Sequence, residues 1–188
     1  MPDILDRPGL SRPARKRASR VEQKQALPVL LYYRFHAADA KPPCTISMQE
    51  VEQQLEWLAA KGYRFLKLQA AVDALRQEQP AESPLLALIV DDADVSSYLL
   101  LFPLLRRRGI PLTLFVHPSA VSQSENALSW AQLGEMVLSG LVDVQYHPAP
   151  RAEVAPNGKR RSQWRERMEL ELGTRIEMLV CPYGSRTA

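Results

Sequence analysis

An α/β fold built on a parallel sheet is the class that three observations predict. The run Leu85–Val90 (LLALIV) is wholly apolar and is stopped by two carboxylates, Asp91 and Asp92. A short strand buried on both faces reads this way. The segment after the acids repeats apolar residues at helical spacing (Val95, Leu99, Phe102 and Leu105, widened by Leu101 and Leu104) and ends at Gly109, as a helix closed by a left-handed glycine would. The same order of capped helix, glycine stop and strand then returns along the chain, the grammar of parallel units with short connections.

Taken in order, Pro28–Phe35 (PVLLYYRF) reads as the first strand. Ser47 with Glu50 three residues later has the spacing of a capping box, and Met48, Val51, Leu55 and Leu58 form the stripe of a helix that Gly62 ends. Residues 63–66 make a short strand and residues 70–76 a second helix before Pro80. After the central strand and its helix, Leu112–Val116 is the next strand. Ser129 with Gln132 opens another helix, with Leu133, Met136 and Val137 facing inward and Gly140 closing it. Leu141–Tyr146 follows as a strand. Asn157-Gly158 marks a turn, Trp164, Met168 and Leu172 recur every four residues, and Ile176–Val180 is a last strand. About six parallel strands would place their carboxyl ends on one rim, gathering Tyr33, Asp91, Asp92, His117, His147 and the loop after Val180.

Length and charge bound the rest. The 188 residues suit one domain at 27–188, preceded by a basic, disordered tail at 1–26. Residues 1–25 hold seven Lys/Arg against three acids, a net +4, so within a total of +3 the remainder carries −1. A near-neutral body argues against nucleic-acid binding. Cys44 and Cys181 are too few for a disulfide framework, and no apolar run approaches the ~18 residues that cross a membrane. RASRVEQKQ is polar where a signal peptide would be apolar, so a cytoplasmic location is expected.

Two acids at the carboxyl end of a buried strand sit where α/β folds place chemistry; alternatively one acid caps the helix and the other is solvated. Asp92 and His147 offer an oxygen and an imidazole nitrogen, donors suited to zinc or another borderline divalent metal. Asp91 could act as a general base. Two protein ligands hold a metal poorly. His117, followed by Pro118, is expected to anchor a loop or face solvent rather than ligate. Trp57, Trp130 and Trp164 are read as packing residues and Arg106–Arg108 as cations complementing a helix carboxyl end.

PVLLYYRF, ISMQEVEQQLEWLAAKGYRFLKL, LIVDDADVSSYLLLFPLLRRRGIPLTLFV, WAQLGEMVLSGLVDVQYHP and CPYG, in that order and spacing, resemble the polysaccharide deacetylase (NodB-homology, carbohydrate esterase family 4) domain from about Leu27 to Gly184. The resemblance implies an incomplete (β/α) barrel with its final strands missing, and metal-dependent removal of acetyl groups from N-acetylglucosamine polymers. The family's TFDDG motif falls on Asp91 (base) and Asp92 (metal), and the first histidine of its S-H-T-x-x-H motif falls on His147. Its oxyanion loop falls on Pro182, Tyr183 and Gly184. The implied cofactor is a divalent metal, zinc first; the implied partners are N-acetylglucosamine polysaccharide and a second copy or other chain covering the open barrel edge.

Departures accompany the matches. Ala93 stands for the motif's glycine, Tyr33 for a first-strand histidine, and Arg151 for the second metal histidine. No histidine follows His147, so the family's general acid has no counterpart. A weakly active or inactive domain is therefore expected. The alternatives are an active deacetylase with a substituted third ligand (His117, Glu153 or another chain) and, remotely, a phosphoryl-accepting receiver domain. A receiver carries its acid pair on the first strand, whereas Asp91 follows at least two.

Overall fold

The computed structural model of the chain describes residues 27–37, 43–77, 83–92, 94–148 and 159–180, the side chains of 159–162 excepted. The tail at 1–26 lies outside them. Among the described residues are seven strands and five α-helices: β1 Val29–Tyr32, β2 Arg34–His36, β3 Thr45–Ser47, α1 Met48–Ala60, β4 Arg64–Leu66, α2 Leu68–Arg76 and β5 Leu85–Val90. A π-helical turn at Ser97–Leu101 leads into α3 Phe102–Arg108, followed by β6 Leu112–Val116, α4 Trp130–Leu138, β7 Val142–Tyr146 and α5 Lys159–Leu172.

The main sheet runs β1-β5-β6-β7, with β4 against the first half of β5. Every pairing in it is parallel, so the strands end on one rim, as the α/β reading requires. β5 is buried at all six positions. Alternate residues of β5, β6 and β7 (Leu88, Val90, Leu112, Leu114, Val142, Val144) share a core with Val51 and Leu55 of α1, Leu105 of α3, Leu133 and Met136 of α4, and Met168 of α5. Burying such side chains stabilises the sheet–helix layers by about 1.5–3 kcal/mol each.

Both capping boxes form. The Ser47 hydroxyl accepts from Glu50 N–H and the Glu50 carboxylate from Ser47 N–H, each at 3.1 Å. Gln132 N–H donates to the Ser129 hydroxyl at 3.2 Å, and Ser129 N–H to Gln132 Oε1 at 2.8 Å. Gly109, at φ 63°, closes α3, a left-handed position that suits a residue without Cβ.

Four expectations are corrected. The first strand breaks at Tyr33: β2 leaves the main sheet and pairs with β3, a strand the sequence reading did not contain. The helix after the acids is not α-helical from its start. The π-helical turn changes the angular spacing of the stripe, so Leu99, expected inside, is 58% exposed. Trp57 is 59% exposed because it lies off the α1 face that buries Val51 and Leu55. Finally, Ile176–Val180 makes a single bridge, Leu179 to Tyr146, rather than a strand. Beside its two backbone hydrogen bonds with Tyr146, it is held by buried Gln145, whose Oε1 accepts from Glu177 N–H (2.9 Å) and Met178 N–H (2.8 Å).

At the β1 end of the sheet, Val29 and Leu31 point to one face and are 47% and 46% exposed. Among the described residues, no helix is long and apolar enough to cross a membrane.

Candidate active site at the sheet rim

Three adjacent strand ends build the site. Asp91 and Asp92 follow β5, His117 follows β6 and His147 follows β7. The register explains their meeting. Val116 pairs with Tyr146, so the next rung sets His117 beside His147, and the His147 N–H still donates to Val116 O at 2.9 Å. The ring centroids lie 4.0 Å apart in an edge-to-face arrangement, with Nδ1 to Nδ1 at 3.2 Å.

Asp91 continues the ladder by donating its N–H to Tyr32 O (3.0 Å). Asp92 then turns out of the strand at φ 58°, a left-handed conformation that aspartate tolerates better than most side chains. Its N–H donates to Asp91 Oδ1 at 3.0 Å. The turn brings Asp92 Oδ1 within 2.9 Å of His117 Nε2, while Asp91 Oδ1 lies 3.5 Å from His147 Nε2.

Electrostatics separate the two acids. Burial pushes the Asp91 pKa above the ordinary carboxylate value, against the pull of His147. The hydrogen bond from His117 holds Asp92 below its ordinary value. Burial works against a charged His117, but the hydrogen bond and negative charge of Asp92 outweigh it and raise the His117 pKa. Asp91 therefore takes a proton more readily than its neighbour, and Asp92 stays anionic.

Asp92, His117 and His147 each offer one ligand atom, and these atoms all lie within 4.8 Å of one another. One carboxylate oxygen and two imidazole nitrogens fit a borderline divalent cation with open positions for water or substrate. Pro148 O sits 2.9 Å from His147 Nδ1. Assigning the proton to that nitrogen from this contact leaves Nε2 as the lone-pair nitrogen, the pattern of a ligating imidazole oriented by a carbonyl. A cleft of about 170 Å³ opens beside the cluster, lined by Arg34, Asp92, Asp94, His117, Ser124 and Asn126, with Arg34 Nε 3.9 Å from Asp94 Oδ2.

The structure thus brings together Asp91, Asp92 and His147 from the sequence reading. His117, expected to anchor a loop, instead lies among them. A signal was present in the sequence: β6 and β7 are both five residues long and each runs directly into His-Pro. Pro182, Tyr183, Gly184, Ala93, Arg151 and Glu153 lie outside the described residues.

The chain is thus an α/β protein whose buried parallel sheet carries at its carboxyl rim an Asp-His-His cluster that could hold a divalent cation. No family model matches the chain. The structure of IcaB from Ammonifex degensii superposes with a TM-score of 0.75 at 30% identity, covering 87% of this chain and 76% of that one. A polysaccharide deacetylase from Bacillus cereus shares the fold at a TM-score of 0.68 and 22% identity, covering 81% of this chain and 49% of that one. A poly-β-1,6-N-acetyl-D-glucosamine N-deacetylase of Staphylococcus epidermidis is 29% identical over 109 residues, 55% of this chain but only 37% of that relative's length. The chain belongs to the polysaccharide deacetylase family.

Proposed function

We propose that the chain hydrolyses N-acetyl groups on an N-acetylglucosamine polysaccharide in a metal-dependent reaction. The supporting observation is the half-buried Asp91 carboxylate beside the Asp-His-His cluster. The relative that acts on poly-β-1,6-N-acetyl-D-glucosamine directs the choice of substrate class. The expectation of a weak or inactive domain rested on a missing third ligand and a missing general acid; His117 is the substitute ligand in this reading, and Asp91 takes the acid's part as well as the base's. A divalent cation, zinc first, would be held by Asp92, His147 and His117, and when bound supplies polarisation of the acetyl carbonyl and of water.

The chain's own residues do the rest. Asp91 accepts a proton from the attacking water as its oxygen bonds to the acetyl carbon. The C–N bond then breaks, the proton on Asp91 passes to the leaving nitrogen, and acetate and a free amine are the products. Burial suits Asp91 to this, since its raised proton affinity serves both transfers. Pro182, Tyr183 and Gly184 are assigned to the oxyanion by resemblance, and the cleft beside His117 takes the sugar.

The test is acetate release from N-acetylglucosamine oligomers by the full chain supplied with zinc. Turnover that Asp91→Asn removes is the expected result. A chain that binds zinc and releases no acetate would refute the reaction and leave a carbohydrate-binding module on a hydrolase fold.

A further inference from the structure

We infer that the metal's protein ligands come entirely from the ends of β5, β6 and β7, with His117 as the third ligand, so that metal binding needs no ligand from residues 149–158. This rests on the metal-dependent reading above. The sequence resemblance places a third ligand at position 151, an arginine, whose guanidinium has no lone pair to give. The rim supplies the donor instead.

The geometry carries this in three steps. First, the parallel registers fix the positions: Val90 pairs with Leu114 and Val116 with Tyr146. Extending those rungs sets Asp92 level with the end of β6 and His117 level with His147. Second, the ligand atoms are already gathered within 4.8 Å, with His117 Nε2 at 2.9 Å from Asp92 Oδ1. Third, Pro148 O lies 2.9 Å from His147 Nδ1, a carbonyl contact of the kind that orients a ligating imidazole, and His147 Nε2 is turned toward the acid pair, 3.5 Å from Asp91 Oδ1. His117 is half-buried and its backbone follows a fully buried strand. A ligand on such an element is held more rigidly than one on a loop.

The experiment measures metal, not turnover. The full chain, His117→Ala, His147→Ala and Arg151→Ala are each titrated with zinc, and the zinc environment of the parent is read by X-ray absorption. The inference expects one zinc per parent chain with two imidazoles in its shell. It also expects at least a hundredfold weaker binding for each histidine variant, beyond the 10–100-fold loss of an outer-shell change, and unchanged affinity for Arg151→Ala. His117→Asp, which returns an oxygen donor, should recover part of the loss and so separates ligation from folding. A parent shell with one imidazole, a His117→Ala chain that binds as the parent does, loss of zinc in Arg151→Ala, or a parent that binds no zinc would overturn it. Two imidazoles without acetate release would sink the proposed reaction and leave this ligand set standing.

Discussion

Replacing Asp91 by asparagine separates chemistry from metal binding, because the proposed reaction gives the two to neighbouring residues. Asparagine keeps an Oδ1 that can accept the Asp92 N–H, now 3.0 Å from Asp91 Oδ1. The left-handed turn at Asp92 and the 2.9 Å contact of its carboxylate with His117 are thereby retained. What disappears is the group that takes the water's proton, a contribution of about 10²–10⁴ in rate, or about 3–5 kcal/mol of barrier at 1.36 kcal/mol per decade. The expected outcome is a kcat lowered by that factor with zinc affinity within about threefold of the parent. Acetate release from N-acetylglucosamine oligomers gives the first number and zinc titration the second. If Asp91→Asn keeps more than a tenth of the parent rate, Asp91 is not the base. If it loses zinc as severely as His147→Ala, the division of labour between the two acids is wrong.

Three further perturbations test the scaffold. Leu114→Ala, at a fully buried β6 position, should cost about 2–5 kcal/mol in chemical denaturation through lost transfer energy and a cavity. Ser129→Ala removes one half of the α4 capping box and should cost about 1 kcal/mol, whereas Ser129→Asp should restore most of it. Asp143 has its pKa raised by burial despite the hydrogen bond from Gln145. The folded state therefore holds that proton more tightly than the unfolded chain, and stability falls as pH rises through the folded pKa. Asp143→Asn should be the more stable protein at pH 7, and thermal melts should show the gap closing below the ordinary carboxylate range; a gap that widens in acid would refute the assignment.

Much of this fold was legible because burial and periodicity coincide in it. β5 is apolar at every position since it is covered on both faces, and both capping boxes announced their helices by hydroxyl and Glu/Gln spacing. The failures were tertiary. Nothing local tells a chain reading YYRF that it changes sheets at Tyr33, because β2 exists only through its pairing with Thr45–Ser47. Ile176–Val180 has the composition of a strand, yet it shares only two backbone hydrogen bonds with Tyr146, while the N–H groups of Glu177 and Met178 find the side chain of Gln145.

The placement of His117 shows where single-residue reasoning stops. Weighed alone, a histidine before proline at a strand end is a loop anchor. Its chemistry appears only when two strands are compared: β6 and β7 are in parallel register, equal in length and each followed by histidine, so one rung beyond the sheet holds two imidazoles. Local rules are broken around the same point, where Asp92 takes a positive φ and the following helix starts with a π-helical turn. Such departures are tolerated where the surrounding structure over-determines them, and they cluster at sites that do chemistry. Here the over-determination comes from the fully buried β5 and β6, whose rigid ends hold the acid pair and the first imidazole in place.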